Sequence, residues 1–386
     1  MLRSIQDFSS SQLSGLKVLF RADFNVPIEN GKVVDPLRIG ATISSIKHLL
    51  GYGAKVIIVS HRSEEKTSLL PVFQYLKREI PISFAEDVAG SKARHAANAL
   101  KNGQALLLEN LRWDKGEKEN DTQFSKDLAA MADVYVNDAF PVSHRAHASV
   151  VGVPAILPGY AGFQFLKELE NLTPALSPKS PSLAIIGGAK FATKEKLVHE
   201  LLKKYDRLFI GGALANDFFL AQGHEVGKSL VSDADHARSL LQNSKIIVPV
   251  DVVVENPNGK EDKDIEDVNE NDCIYDVGPK SIAALKPIAE KARSILWNGP
   301  MGHFEKGFRR GTDDVAAIIA QVNAHSIVGG GDTLSSIQFL HLSDRFSFVS
   351  TAGGAMLDFL ANGTLPGIEA LKNSPQLPNS FSERDH

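Results

Sequence analysis

Glycine clusters close short apolar runs throughout the second half of this chain, at Gly187-Gly188-Ala189-Lys190, Gly211-Gly212-Ala213, Gly329-Gly330-Gly331-Asp332-Thr333 and Ser350-Thr351-Ala352-Gly353-Gly354-Ala355. A strand-length run that stops at glycine and leads into an amphipathic stretch is a strand-to-helix turn, and its free backbone N–H groups form an anion site. The first half ends its apolar runs in side chains instead: Arg21-Ala22-Asp23-Phe24-Asn25, Ser60-His61-Arg62, Glu109-Asn110-Leu111-Arg112 and Asn137-Asp138-Ala139-Phe140. One half is suited to a polyphosphate, the other to a compact anion.

The apolar runs lie at 18–20, 56–59, 105–108 and 134–136, then at 183–186, 208–210, 246–250, 295–297, 327–328 and 346–349. They are short and unalternating, as expected of strands covered on both faces, and helical patterns separate them. With 386 residues and 43% hydrophobic content the chain exceeds one ordinary core. The expected fold is α/β: two Rossmann-like lobes, each a parallel sheet with helices on both faces, joined by a hinge helix. Residues 161–172 read as that helix, and Pro174, Pro178 and Pro181 interrupt regular structure after it. The expected domains are 1–165, with the tail 372–386 returning to it, and 166–371. The acid-rich run 255–272 lacks hydrophobic periodicity and reads as an exposed loop or hairpin without chemistry.

A formal net charge of -4 argues against a nucleic-acid binder. The single cysteine, Cys273, excludes an intramolecular disulfide and suits a reducing compartment. Residues 1–7 lack the apolar core of a signal peptide, and the richest apolar stretch, 150–166, is broken by Pro154, Pro158, Gly159 and Gly162. A soluble cytoplasmic protein without membrane contact is expected.

Neither Gly-x-x-x-x-Gly-Lys-Ser/Thr nor Gly-x-Gly-x-x-Gly occurs at a helix start, so this is neither a standard P-loop nor a standard dinucleotide fold. Four glycine clusters at successive strand ends nevertheless point to a nucleotide. If 189–202 is helical, Lys190 and Lys194 share one face near its positive end. Asp332 suits a magnesium ion carried by phosphates, or equally a helix cap. In the first half Arg21, Arg38, Arg62, Arg112 and Arg145 accompany His61, His144 and His147. Guanidinium forks pair with carboxylate and phosphate oxygens, so a substrate bearing both groups is the natural guest. His144 and His147 lack a third ligand at zinc spacing.

These motifs resemble the phosphoglycerate kinase family over nearly the whole chain. The resemblance rests on residues 21–27 (RADFNVP), 107–112 (LLENLR), 137–140 and 144–149 (NDAF, HRAHAS), 187–190 (GGAK), 297–305 (WNGPMGHFE), 329–333 (GGGDT) and 365–367 (LPG). It implies a monomer whose first lobe binds 3-phosphoglycerate or 1,3-bisphosphoglycerate and whose second binds ATP or ADP with Mg2+. Carried over by motif, Asp23, Asn25, Arg38, His61, Arg112 and Arg145 belong to the glycerate site, and Arg21 and Arg62 are added to it as arginines at strand ends. Lys190, Lys194, Gly211, Asn298, Glu305, Gly329, Gly330, Gly331, Asp332 and Thr333 belong to the nucleotide site, with Glu305 at the ribose and Asp332 at the metal. Arg38, Lys190, Gly353 and Gly354 are the catalytic candidates, aimed at the equatorial oxygens of the moving phosphoryl group. The lobes are expected to close on a hinge near 161–173.

Several positions depart from the family pattern. Ser60-His61-Arg62-Ser63-Glu64-Glu65 stands where Ser-His-Leu-Gly-Arg-Pro is usual, so Glu64 replaces an arginine, and Arg62 is expected to reach in while Glu64 points outward. Pro141, Ala213 and Ala352 replace glycines, and Asn216 replaces threonine. Ala352 keeps a usable donor only in a right-handed backbone. Two other readings compete: a regulatory protein that binds nucleotide without chemistry, and an NAD-dependent dehydrogenase, which the missing fingerprint disfavours.

Overall fold

The computed structural model describes residues 2–63, 66–189 and 191–377. The chain divides into two units, the first comprising 1–169 and 364–386 and the second 170–363. The helix Phe163–Leu172 crosses the first division. The second falls before 371 because the final helix, Pro366–Lys372, is anchored on the N-terminal unit: Gly367 donates to the Ser143 carbonyl at 2.9 Å. Just beyond it, Ser374 accepts from the Gly159 amide at 3.1 Å.

The N-terminal unit is built on a six-stranded, all-parallel sheet. Its spatial order is Ile82–Ala85, Ala105–Leu108, Lys55–Val59, Lys17–Arg21, Val134–Asn137, Gly159–Ala161. The central strands are buried on both faces, which explains why their sequences are continuous apolar runs. The edge strands at 82–85 and 159–161 depart from expectation; each is short and bounded by proline or glycine. A two-stranded hairpin, Ile28–Glu29 with Lys32–Val33, turns on Asn30 and Gly31, both at positive φ (50° and 73°).

The C-terminal unit carries a second six-stranded parallel sheet, in the order Ile246–Ile247, Arg207–Ile210, Ser182–Ile186, Ser294–Asn298, His325–Gly329, Phe348–Val349. Counted along the chain this is 3-2-1-4-5-6, the doubly wound arrangement whose ligands sit where the order reverses. That switch lies between the ends of Ser182–Ile186 and Ser294–Asn298. The expected strand over 246–250 stops at Ile247. Pro249 offers no amide, and the chain then turns into an antiparallel sheet of Asp251–Asn256, Gly259–Asp264 and Cys273–Val277, which supplies the hairpin expected in the acidic run. Leu183, Ile185, Trp297 and Val328 form the centre of this unit's core, each burial contributing about 1.5–3 kcal/mol.

Candidate functional site

In the N-terminal unit the strands Lys17–Arg21, Lys55–Val59 and Val134–Asn137 run side by side, so the segments that follow them gather at one edge. Arg21, expected at the ligand, is instead fully buried. Its guanidinium donates to Ser149 Oγ at 2.8 Å, to the Ala22 carbonyl at 2.6 Å and to His61 Nδ1 at 3.2 Å, and it lies 3.8 Å from Glu117. Glu117 is equally buried and accepts from the Ser149 amide and hydroxyl at 2.9 and 2.7 Å. Arg21 is therefore a fixed charge beneath the site. Because it donates to Nδ1 of His61, the proton of the neutral imidazole sits on Nε2.

Two histidines report the potential above this charge. Burial, followed by Arg21, Arg112 and Arg145, drives the pKa of His61 well below its usual range. Burial and then Arg21, Arg145 and Arg112 bring His147 down to about 4, although Glu117 lies 3.7 Å away. The cluster thus has strong cationic character from arginine alone, which favours an anion. Arg145 is exposed, with Nε against His144 Nε2 at 3.2 Å. Arg38 is held by Asp23 at 3.1 Å and by the Asn25 carbonyl at 3.3 Å while remaining about one-third exposed. Asn25 exchanges two hydrogen bonds with Ser63.

Arg62, expected to reach into the site, is engaged by the protein itself. Its Nε donates to Thr67 Oγ1 and its Nη1 to the Val26 carbonyl, both at 3.1 Å, so it ties two loops together. Arg112 braces the same loop by donating to the Ser63 carbonyl at 3.2 Å. Glu64 lies outside the described residues. Asp138, in the NDAF motif, is buried at the start of the helix Phe163–Leu172, where its Oδ1 accepts from the Phe165 amide at 3.0 Å. Burial pushes its pKa up to about 7. A side chain at Gly162 would meet this carboxyl at 2.3 Å, so glycine is required there.

In the C-terminal unit the four glycine clusters divide into two kinds. The first two pack backbone against backbone: the Gly187 amide donates to Asn298, Gly188 to Pro300 and Gly211 to Ile186. At Gly212, with φ +60°, a Cβ would lie 2.7 Å from the Gly188 nitrogen. These amides are engaged within the protein, contrary to the expectation of free donors. The other two clusters open helices Gly331–Phe339 and Gly354–Asn362, whose caps Gly330 and Gly353 have positive φ and supply no side-chain cap. Their first turns present amides and positive dipole ends at adjacent strand ends. Ala352 does not have positive φ, and its amide is taken by Ser350 Oγ at 3.2 Å.

A cavity of about 770 Å³ adjoins the first of these helix starts, its lining including Gly188, Gly212, Leu230, Tyr275, Pro300, Glu305 and Asp332. Glycine backbones and apolar side chains both contribute to this lining, a composition suited to a planar ring. Among the predicted residues Glu305 and Asp332 reach the cavity. Gly211, Gly329, Asn298 and Thr333 are buried; Gly211 cedes its expected place to Gly212 and Ala213. Asn298 instead directs Nδ2 to Met356 Sδ at 3.8 Å. The exposed Asp332, in the first turn of Gly331–Phe339, fits a cation that takes one carboxylate and completes its shell with phosphate and water.

Residues 189–202 do not form one helix: a 3-10 turn, Phe191–Thr193, precedes Glu195–Lys204. Lys194 consequently stands at the cap and donates to the Gly187 carbonyl, with burial lowering its pKa to about 8. Lys190 lies outside the described residues. Sequence reasoning missed Glu117 and Ser149 beneath the first site, and Tyr275 and Lys306 in the second. Ser149 closes one recognised motif and Lys306 adjoins another; no local signal marks Glu117 or Tyr275. Among the described residues no helix is long and apolar enough to cross a membrane.

The family model described as phosphoglycerate kinase matches residues 5–363. A phosphoglycerate kinase of Coprothermobacter proteolyticus is 42% identical, the match covering 96% of this chain and 98% of that one. One of Dictyoglomus turgidum is 41% identical over 96% and 99%. Among solved structures, phosphoglycerate kinase from Coxiella burnetii matches with a TM-score of 0.83 at 37% identity, covering 96% and 99% of the chains. That from Pyrococcus horikoshii OT3 gives 0.85 at 32% identity, covering 100% of both.

Proposed function

The chain belongs to the phosphoglycerate kinase family and is a phosphotransferase of glycolysis with a carboxyl group as acceptor; from this premise we propose how its residues divide the reaction. The N-terminal unit holds 3-phosphoglycerate through Arg38, Arg112, Arg145 and His61, with Asp23 and Asn25 beside them. Arg21 and Arg62 act from behind, one as buried charge and the other as a brace. The C-terminal unit holds the nucleotide in its cavity, with Glu305 at the ribose and Asp332 bearing Mg2+. When bound, the ion neutralises phosphate charge. Lys190, Lys194 and the helix starts at Gly331 and Gly354 receive the phosphates.

In the ATP-consuming direction a carboxylate oxygen of 3-phosphoglycerate attacks the γ-phosphorus in line, and the bond to the β,γ-bridging oxygen breaks as ADP departs. The nucleophile is already ionised, so no general base is needed. Arg38 and Lys190, with the amides at Gly353 and Gly354, neutralise the equatorial oxygens of the phosphoryl group. Transfer in line also needs the two bound substrates brought together and water excluded. The enzyme acts as a cytoplasmic monomer.

The observation that carries this division is chemical: suppressed histidines among arginines in one unit, and in the other two helix starts without side-chain caps, one of them lining a glycine-rich cavity. A magnesium-dependent assay with 3-phosphoglycerate and ATP, trapping the acyl phosphate with hydroxylamine, tests it. Acyl phosphate formation is expected. Nucleotide binding without product would leave only a regulatory binder.

A further inference from the structure

The turn that carries Glu305, Phe304–Lys306, has no buried residue and ends on Gly307 at φ 78°. A single surface turn closed by glycine does not by itself hold a side chain still. Lys306 tethers one end of it by donating to the Tyr275 hydroxyl at 2.6 Å. The other end leans on Arg309. This residue caps the helix Arg310–Ile319, and its guanidinium grips Asp313 with two hydrogen bonds, Nε to Oδ2 at 2.7 Å and Nη2 to Oδ1 at 3.2 Å. The plate so oriented lies 5.1 Å from the centre of the Phe304 ring and 3.9 Å from that of Phe339.

Phe339 ends the helix Gly331–Phe339, whose first turn carries Asp332. Its side chain is 65% exposed, so packing against a core does not account for its place, whereas the guanidinium over its ring does. Asp313 joins the same helix a second time by accepting from the buried Ser336 hydroxyl. One guanidinium thus links the segment bearing the ribose carboxylate to the helix bearing the metal carboxylate. Arginine suits the task because its flat cation can lie over aromatic rings while its fork pairs edgewise with a carboxylate; the compact ammonium of lysine cannot do both. We propose that Arg309 is a positioning residue that, through Phe304, holds Glu305 against the ribose hydroxyls of the nucleotide and so sets the preference for a nucleotide that has them. This rests on the cavity being the nucleotide site.

The test compares kcat/KM for ATP and for an ATP analogue lacking both ribose hydroxyls, in the wild type, Arg309→Met, Arg309→Lys and Glu305→Ala. Each ratio is taken on one protein, so its folded fraction cancels. The wild type should prefer ATP by about tenfold or more, as sites built on hydrogen bonding do. Glu305→Ala and Arg309→Met should each bring the preference to within about threefold, and Arg309→Lys should not restore it. A preference lost in Glu305→Ala but kept in Arg309→Met overturns the positioning role while the cavity remains the nucleotide site. Recovery in Arg309→Lys overturns the stacking on which that role depends. If the wild type shows no preference, or Glu305→Ala keeps it, the ribose assignment falls and the proposal with it.

Discussion

Asp138 makes the stability of the N-terminal unit depend on pH in an unusual direction. Its carboxyl is buried at the start of the helix that crosses between the units, and its pKa rises from 3.8 to about 7 because burial disfavours the charge. Below 3.8 the group is protonated both folded and unfolded. Between 3.8 and about 7 the unfolded chain releases the proton while the folded one keeps it, so stability falls as pH rises and levels off above about 7. At about 1.4 kcal/mol per tenfold change in proton affinity, the loss between pH 5 and pH 8 is about 3 kcal/mol. Asp138→Asn cannot ionise and should escape it. Urea titrations at both pH values provide the assay, because the two tryptophans fall one in each unit and Trp113 reports on the first. The variant should gain about 3 kcal/mol on the wild type between pH 5 and pH 8. A stability difference that stays constant within about 0.5 kcal/mol would refute the burial argument.

Three other perturbations address the site. Arg38→Ala should lower kcat about 10²- to 10³-fold with a smaller change in KM for 3-phosphoglycerate, and near-normal turnover would remove Arg38 from the chemistry. Glu117→Gln strips the counter-charge from buried Arg21 and should cost about 3 kcal/mol in the unfolding of the N-terminal unit; a loss below about 1 kcal/mol would mean that the pair, 3.8 Å apart, is not coupled. The pKa of His147 lies near 4 when folded, so the unfolded chain binds the extra proton first, and stability declines as pH drops from about 6.5 towards 4. His147→Gln should therefore lose less stability than the wild type over that interval, and identical acid sensitivity in urea titrations would contradict the assignment.

The fold was legible where burial made the sequence simple. Residues 105–108 are covered on both faces and read directly as a strand, while 82–85 and 159–161 are edge strands whose short, proline- or glycine-bounded stretches carry little pattern. The hairpin at Asn30-Gly31 went unread because the strands it joins have two residues each, too few to show an alternating pattern. At the site, residue type identified the cationic edge without revealing depth. Arg21 and Arg145 look alike in sequence; one is sealed by Ser149 and Glu117 from distant segments, the other exposed. Glycine posed the same difficulty. Gly212 permits two backbones to touch, whereas Gly353 begins a helix with open amides, and only the tertiary partners distinguish these uses.

The return of residues 364–377 to the N-terminal unit sets an order of assembly on a chain made from its amino end. The nucleotide-binding unit is one uninterrupted stretch, 170–363, complete in sequence before the residues that finish its neighbour are synthesised. The N-terminal unit, although begun first, gains Gly367 and Ser374 only afterwards, so it is the later of the two to have all its residues.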